Sequence, residues 1–209
     1  MCLIALFLVS MVGQTWAGWR VYNEERDAHR ELPVTLGAYL TTGHFGEATF
    51  ENWESEFLQM ACFVLLTVFL YQRGSSESKR PDVLELVDLD PRDSLNKDAA
   101  PWPVRRGGAA LVLYENSLSV AFAALFVASL VLHAATGVVQ YNEDQLAHGQ
   151  PALSLGEFAL SPQFWFESFQ NWQSEFLSLA AMVALTIVLR QRGSPESKPV
   201  DAPTWETGR

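Results

Sequence analysis

Cysteine is nearly absent: the 209 residues contain two, Cys2 and Cys62. Both fall inside apolar stretches and read as small apolar fillers, so no disulfide framework exists and the redox compartment is not reported. Cationic side chains are also sparse, 14 Lys and Arg against 24 Asp and Glu, a formal charge of −10. No basic patch is present, which excludes the electrostatic footprint of a nucleic-acid binder. Six of the 24 acidic residues sit in the proline-containing block 81–99 (Asp82, Glu85, Asp88, Asp90, Asp93, Asp98), which reads as a solvated linker, so the net charge says little about partners. Catalytic signatures are missing too. There is no H-E-x-x-H, no E-x-x-H pair and no G-x-S-x-G elbow, which leaves zinc-peptidase, di-iron and Ser-hydrolase chemistry without support. No enzymatic activity and no cofactor is expected.

What the chain does have is a repeat. Residues 22–79 align with 141–198 at a constant offset of 119, without a gap, and share 27 identities in 58 positions. Unrelated segments would share about a tenth, so the pattern reads as an internal duplication. Both copies carry Y-N-E-x4-H, N-W-x-S-E-F-L, an apolar run and Q-R-G-S-x-E-S-K.

Mean hydropathy is only +0.07, but the apolar residues gather in four stretches, 2–19, 57–71, 117–139 and 176–189. A spanning helix needs roughly 20 mainly apolar residues to cross about 30 Å. The third stretch meets that outright and the first is marginal. The second and fourth are short, yet each follows an aromatic lead-in (Phe50, Trp53, Phe57; Phe164, Trp165, Phe169, Trp172, Phe176) of the kind found at membrane interfaces. At 1.5 Å per residue, Trp53 to Arg73 covers about 30 Å if helical throughout. The first stretch lacks a positive n-region and aligns with the internal segment 121–138, so it reads as a retained membrane helix rather than a signal peptide. Met1 falls opposite Val120, leaving Tyr114–Ser117 without counterparts, as a start upstream would explain.

The expectation is an all-α fold: a four-transmembrane-helix bundle from a tandem helix–loop–helix duplication, with its pseudo-twofold axis along the membrane normal. Its parts are a first two-helix repeat at 1–79, an acidic cytoplasmic linker at 80–108, a second repeat at 109–198 and a tail at 199–209. Segment 71–110 holds seven Lys or Arg and the C-terminal tail four (Arg190, Arg192, Lys198, Arg209), against three in loop 20–56 (Arg20, Arg26, Arg30) and none in 139–175. That asymmetry puts both termini and the linker in the cytoplasm. Within each outer loop, Leu36-Gly37-x-Tyr39 and Leu155-Gly156-x-Phe158 predict a short surface turn. The second long helix is expected to start near Thr42 and, with an N-cap and N1 pair, at Ser161-Pro162. Gly74 and Gly193 read as C′ stops, and the basic residues beside them suit the helix dipole and lipid phosphates. Ala124/Ala128 and Ala180/Ala184 suggest close helix packing, within or between chains.

The spacing places Asn52, Ser55, Glu56 and Gln59 on one helical face, matched by Asn171, Ser174, Glu175 and Ser178, with Thr67 and Thr186 extending it. A polar stripe on a membrane helix faces protein or water. Y-N-E-x4-H lies just past the first helix of each copy. Two readings follow. Glu24, His29 and Glu56, repeated as Glu143, His148 and Glu175, form a ligand or metal site of a type suited to zinc, iron or manganese; or the same residues are a hydrogen-bonded clamp that ties down the outer loop. His133, which aligns with Gln14, reads as a lone packing or capping residue, and His44 as an exposed loop histidine.

The set Y-N-E-x4-H, L-G-x-Y, E-N-W-x-S-E-F-L-Q and Q-R-G-S-x-E-S-K resembles a bacterial family of duplicated four-helix membrane proteins of unknown function. The resemblance covers nearly the whole chain except the linker and last ten residues. It implies a multi-pass protein of the bacterial inner membrane, with no catalytic residues to carry over. The expected partners are the lipid bilayer and a second copy or another membrane protein. The expected role is structural or interaction-based in the cell envelope, with a small transporter or a ligand- or metal-sensing protein as the alternative.

Overall fold

The computed structural model describes residues 2–80, 82–93 and 98–208; Met1, Lys97 and Arg209, which enter the sequence argument, lie outside them. The described residues are helical and contain no strand. They form two compact units, Met1–Ser55 with Phe126–Asn171, and Glu56–Leu125 with Trp172–Arg209. The helices are α1 (Cys2–Ala28), α2 (Leu36–Tyr39), α3 (Gly43–Phe69), α4 (Trp102–Arg106), α5 (Gly108–Glu115), α6 (Ser117–Ala147), α7 (Leu155–Ala159) and α8 (Pro162–Val188). By length and composition α1 and α6 are able to cross a membrane. Helices α3 and α8 are as long as α1 but carry acidic residues in their first halves.

In the first unit, apolar residues of α1 are exposed while a set of polar residues is buried. Leu3, Val9 and Val12 on α1 are 81%, 70% and 70% exposed, whereas Thr49, Glu54, Ser55, Ser129, His133 and Ser168 are buried. A protein folding in water orders these the other way. Its small apolar core, Ala134, Phe158 and Phe164, is flanked by Leu130, Val138 and Tyr141.

Y-N-E lies within the helices rather than past them, because nothing breaks α1 before Arg30 or α6 before Gly149. Both residues adopt positive φ, 60° and 72°. Each closes a Schellman end: Glu31 N donates to Arg26 O (2.8 Å) and Gln150 N to Gln145 O (2.8 Å). Glycine holds this conformation freely and arginine does not. Arg30→Gly is therefore expected to stabilise the protein by about 1 kcal/mol in thermal unfolding, while Gly149→Arg lowers stability by a similar amount.

Beyond these ends the two loops that follow α1 and α6 are held alike. Asn23 donates through Nδ2 to Val34 O (3.1 Å) and accepts at Oδ1 from Val34 N (2.7 Å). Asn142 does the same with Leu153, at 2.9 and 2.8 Å. Thr35 and Ser154 cap α2 and α7, Ser154 in a capping box with Glu157. The Ser154 hydrogen bonds hold the Glu157 carboxyl below the ordinary carboxylate range. Tyr39 and Phe158, at the ends of the Leu-Gly turns, are almost completely buried. Burial, with the Glu25 charge second, pushes the Tyr39 phenol up. Thr42 and Ser161 accept from the N–H groups of Phe45 and Phe164, each at 3.3 Å, as N-caps of α3 and α8.

In the second unit, α3 ends at Phe69 and does not reach Arg73 as a helix. Gln72 N donates to Ser78 Oγ (2.9 Å), and Gln72–Ser75 forms a turn in which Gly74 supplies φ 87°. Gly193 serves the equivalent turn Gln191–Ser194. The glycines thus shape the turn that follows the helix rather than its C′ position. Lys198 is not free for lipid phosphates: it is buried, and its ammonium donates to the carbonyls of Pro203, Thr204 and Glu206 at 2.9–3.2 Å. Gly74 N to Thr207 Oγ1 (2.9 Å) and Gly208 N to Ser75 O (3.0 Å) complete the docking of the tail. Lys198→Met leaves three carbonyls without their cation. We expect limited proteolysis to cut within 199–208 at least tenfold faster, the rate change of about 1.4 kcal/mol.

Candidate functional site

Glu47, Glu51 and Glu54 follow i, i+4, i+7 spacing, so they form one stripe along α3. That stripe meets α6 at close range because α3 presents glycine where the two touch. A Cβ on Gly43 would lie 2.6 Å from Gln140 N and 2.8 Å from Thr136 O, and one on Gly46 would overlap the Thr136 side chain. On α6, a Cβ at Gly137 would lie 3.2 Å from Glu47 Oε1 and 2.9 Å from the Phe158 ring. Close approach in this unit therefore comes from glycines; Ala124, Ala128, Ala180 and Ala184 are exposed.

His133, near the middle of α6, is the centre of the cluster and is fully buried. Its Nδ1 lies 2.8 Å from Glu54 Oε2, and both side chains are inaccessible to solvent. A carboxylate accepts only, so Nδ1 carries the proton and Nε2 the lone pair when the ring is neutral. Nε2 faces Glu167 Oε2 of α8 at 3.5 Å, and neither atom has a hydrogen-bond partner among the described residues. The other Glu167 oxygen accepts from Gln163. Ligand atoms of Glu47, His133 and Glu167 all lie within 4.8 Å of one another. Glu51 accepts from Asn171, and the Phe164 ring packs on His133 at 4.9 Å.

The same unit holds an open cleft of about 770 Å³ between the C-terminal turns of α1 and α6. Glu25, Glu31, Glu143 and Asp144 line it with one arginine, Arg26, which is already paired to Glu31 at 2.9 Å. The wall is therefore net acidic, which concentrates cations. Gln140 reaches the cleft from α6, and its buried Oε1 has no partner among the described residues. Gly137 lies one turn along the helix from Gln140 and His133 one turn further.

The residues singled out from the sequence are distributed as follows. His29 and Glu143 line the cleft. Glu143 accepts from the Tyr22 hydroxyl at 3.3 Å. The rings of His29 and His148 are 6.2 Å apart, each imidazole also bonded to a carbonyl one turn back. Glu24 is exposed on α1. On α3, Asn52 and Glu56 are exposed, Ser55 is buried and Gln59 half-buried. In the second unit Gln59 Nε2 donates to Glu175 O (2.7 Å) and Ser178 Oγ (2.9 Å), and Thr186 bonds Ser75 at 3.0 Å. Ser174 is exposed, and Asn171 and Glu175 are half-buried.

Two histidines differ from expectation. His133 is not a lone packing residue but the centre of a charged cluster. His44 lies in the first turn of α3, half-buried, bonded to the Tyr39 hydroxyl at 3.0 Å and packed on Tyr22. The signal for the cluster was present in the Glu47/Glu51/Glu54 stripe, one face round from the N-W-x-S-E stripe.

The chain is thus an all-helical protein with two helices able to cross a membrane and a buried His–carboxylate cluster. It belongs to the family described as a domain of unknown function (DUF6766), whose model matches residues 1–209. No curated protein and no solved structure matches it.

Proposed function

We propose that this is an integral membrane protein of the bacterial cell envelope in which α1, α3, α6 and α8 all span the bilayer, with both termini cytoplasmic. It admits a small cation through the acidic cleft to the centre around His133. One observation carries the reading: an inaccessible imidazole near the middle of a membrane-competent helix, faced by carboxylates from α3 and α8. Ionisable groups at such depth are costly and mark ion or proton paths. A purely structural role accounts for the Asn23 and Asn142 clamps, which hold the loops, but gives no reason for four carboxyl groups around one histidine.

The test is cation uptake by proteoliposomes that enclose a pH-sensitive or a Zn²⁺-sensitive dye, under an imposed gradient. The wild type is expected to conduct one of the two ions, His133→Ala to abolish it, and Glu56→Gln to leave it unchanged. Absence of flux for both ions would overturn the reading. The topology has its own check. Reporter fusions should place Ala152 outside and Asp90 inside, and the reverse result would overturn the orientation.

A further inference from the structure

Four carboxyl groups, Glu47, Glu51, Glu54 and Glu167, gather near one imidazole; Glu54 and His133 are fully buried and the other three half-buried. When the ring is neutral and donates its Nδ1–H to Glu54, the Nε2 lone pair points at Glu167 Oε2, itself an acceptor. Two acceptors aimed at each other without an intervening hydrogen bond repel unless they share a cation. Their spacing is compatible with a metal ion. A proton shared between imidazole and carboxylate draws the heavy atoms to about 2.7–2.9 Å. A first-row dication with bonds near 2.1 Å at tetrahedral angles holds its donors roughly 3.4 Å apart. The observed distance is 3.5 Å. Glu47 supplies a third donor within 4.8 Å of both, which requires a movement of less than about 1.5 Å to complete that geometry.

We infer that Glu47, His133 (through Nε2) and Glu167 bind one divalent transition-metal ion, with Glu54 as the positioning residue that fixes the imidazole tautomer. Nitrogen with two carboxylate oxygens suits zinc, manganese or iron(II). Two carboxylates balance the dication, and the Glu54–His–metal arrangement is the usual way a protein orients a ligand histidine. Gln163, on Glu167 Oε1, turns Oε2 toward the ion. At the 119-residue offset the positions of Glu47, Glu54, His133 and Glu167 hold Phe166, Gln173, Gln14 and Ala48, which cannot repeat the site, so the stoichiometry is one ion per chain. This assignment rests on the cation reading above and names its ion.

The experiment is Co²⁺ titration of the purified full chain in lipid nanodiscs, read by its visible ligand-field bands and by Zn²⁺ competition. One Co²⁺ per chain is expected, displaced by Zn²⁺. Glu54→Gln, which keeps an acceptor for Nδ1, weakens binding about 10–100-fold. Glu47→Gln and Glu167→Gln, which leave the buried Glu54–His133 pair intact, weaken it further, and Glu24→Gln, at an exposed position outside the cleft, retains the site. Circular dichroism verifies that each variant is folded. Cobalt bound equally by wild type, Glu47→Gln and Glu167→Gln would overturn the assignment. Absence of ligand-field bands alongside a His133-dependent proton flux would overturn the metal but leave the cation reading. Absence of both would overturn the two together.

Discussion

Glu54→Ala is expected to destabilise the protein by about 3–5 kcal/mol, the cost of leaving a buried charge-bearing partner alone. The His133 ring is inaccessible and its Nδ1 bond to Glu54 is 2.8 Å. Alanine at 54 strands that N–H where water does not reach. Glu54→Gln should cost less, because the amide oxygen accepts the same hydrogen. The double variant Glu54→Ala/His133→Leu removes both polar partners and should recover most of the loss, since replacing a buried pair by apolar groups is often near neutral. Thermal or denaturant unfolding of wild type, Glu54→Ala, His133→Leu and the double variant forms a double-mutant cycle. A double variant as unstable as the sum of the singles would show that the pair is not coupled.

Gly43→Ala is the second large effect. Its Cβ would meet backbone atoms, Gln140 N at 2.6 Å and Thr136 O at 2.8 Å, so α3 and α6 must separate. The expected loss is about 3 kcal/mol, the upper end for overpacking. Gly46→Ala meets Thr136 at Cγ2 and at Cβ (2.8 Å), the latter an atom that side-chain rotation does not move, so a comparable loss is expected. Gly13→Ala and Gly37→Ala, whose added Cβ atoms meet nothing within 4 Å, are the controls. Since Glu47 follows directly on Gly46, separating the helices also draws Glu47 away from His133. Gly43→Ala should therefore lose cation binding along with stability, whereas Lys198→Met should keep it.

Local chemistry was legible in the sequence. Thr42 and Ser161 cap the helices they were expected to start, and the Leu36 and Leu155 turns are short helices. These features depend on a few neighbouring residues. The His133 cluster does not: it draws on α3, α6 and α8, and periodicity defines a helix face without saying which neighbour meets it. The repeat itself obscured the cluster. Residues matched at the offset of 119 drew the eye to Glu24, His29 and Glu56, whereas His133 stands opposite Gln14 and Glu47 opposite Phe166. A site built on differences between two similar segments is invisible to a search for what they share. The tail was hidden for a related reason. Lys198 repeats Lys79, but Lys79 pairs with Asp88 while Lys198 collects three carbonyls from the residues after it.

The membrane interpretation and the buried centre depend on each other. In water, the exposed Leu and Val of α1 and the polar interior of the first unit would each be unfavourable. In a bilayer both are expected.

Histidine footprinting tests the central claim most directly. The chain has four histidines, and diethyl pyrocarbonate labelling of intact membranes, read by mass spectrometry, reports the access to each. The exposed His29 and His148 should label fast and the half-buried His44 more slowly. His133 should stay unmodified in the wild type and become reactive in Glu54→Ala. Labelling of wild-type His133 as fast as His29 would contradict a buried centre and everything built on it.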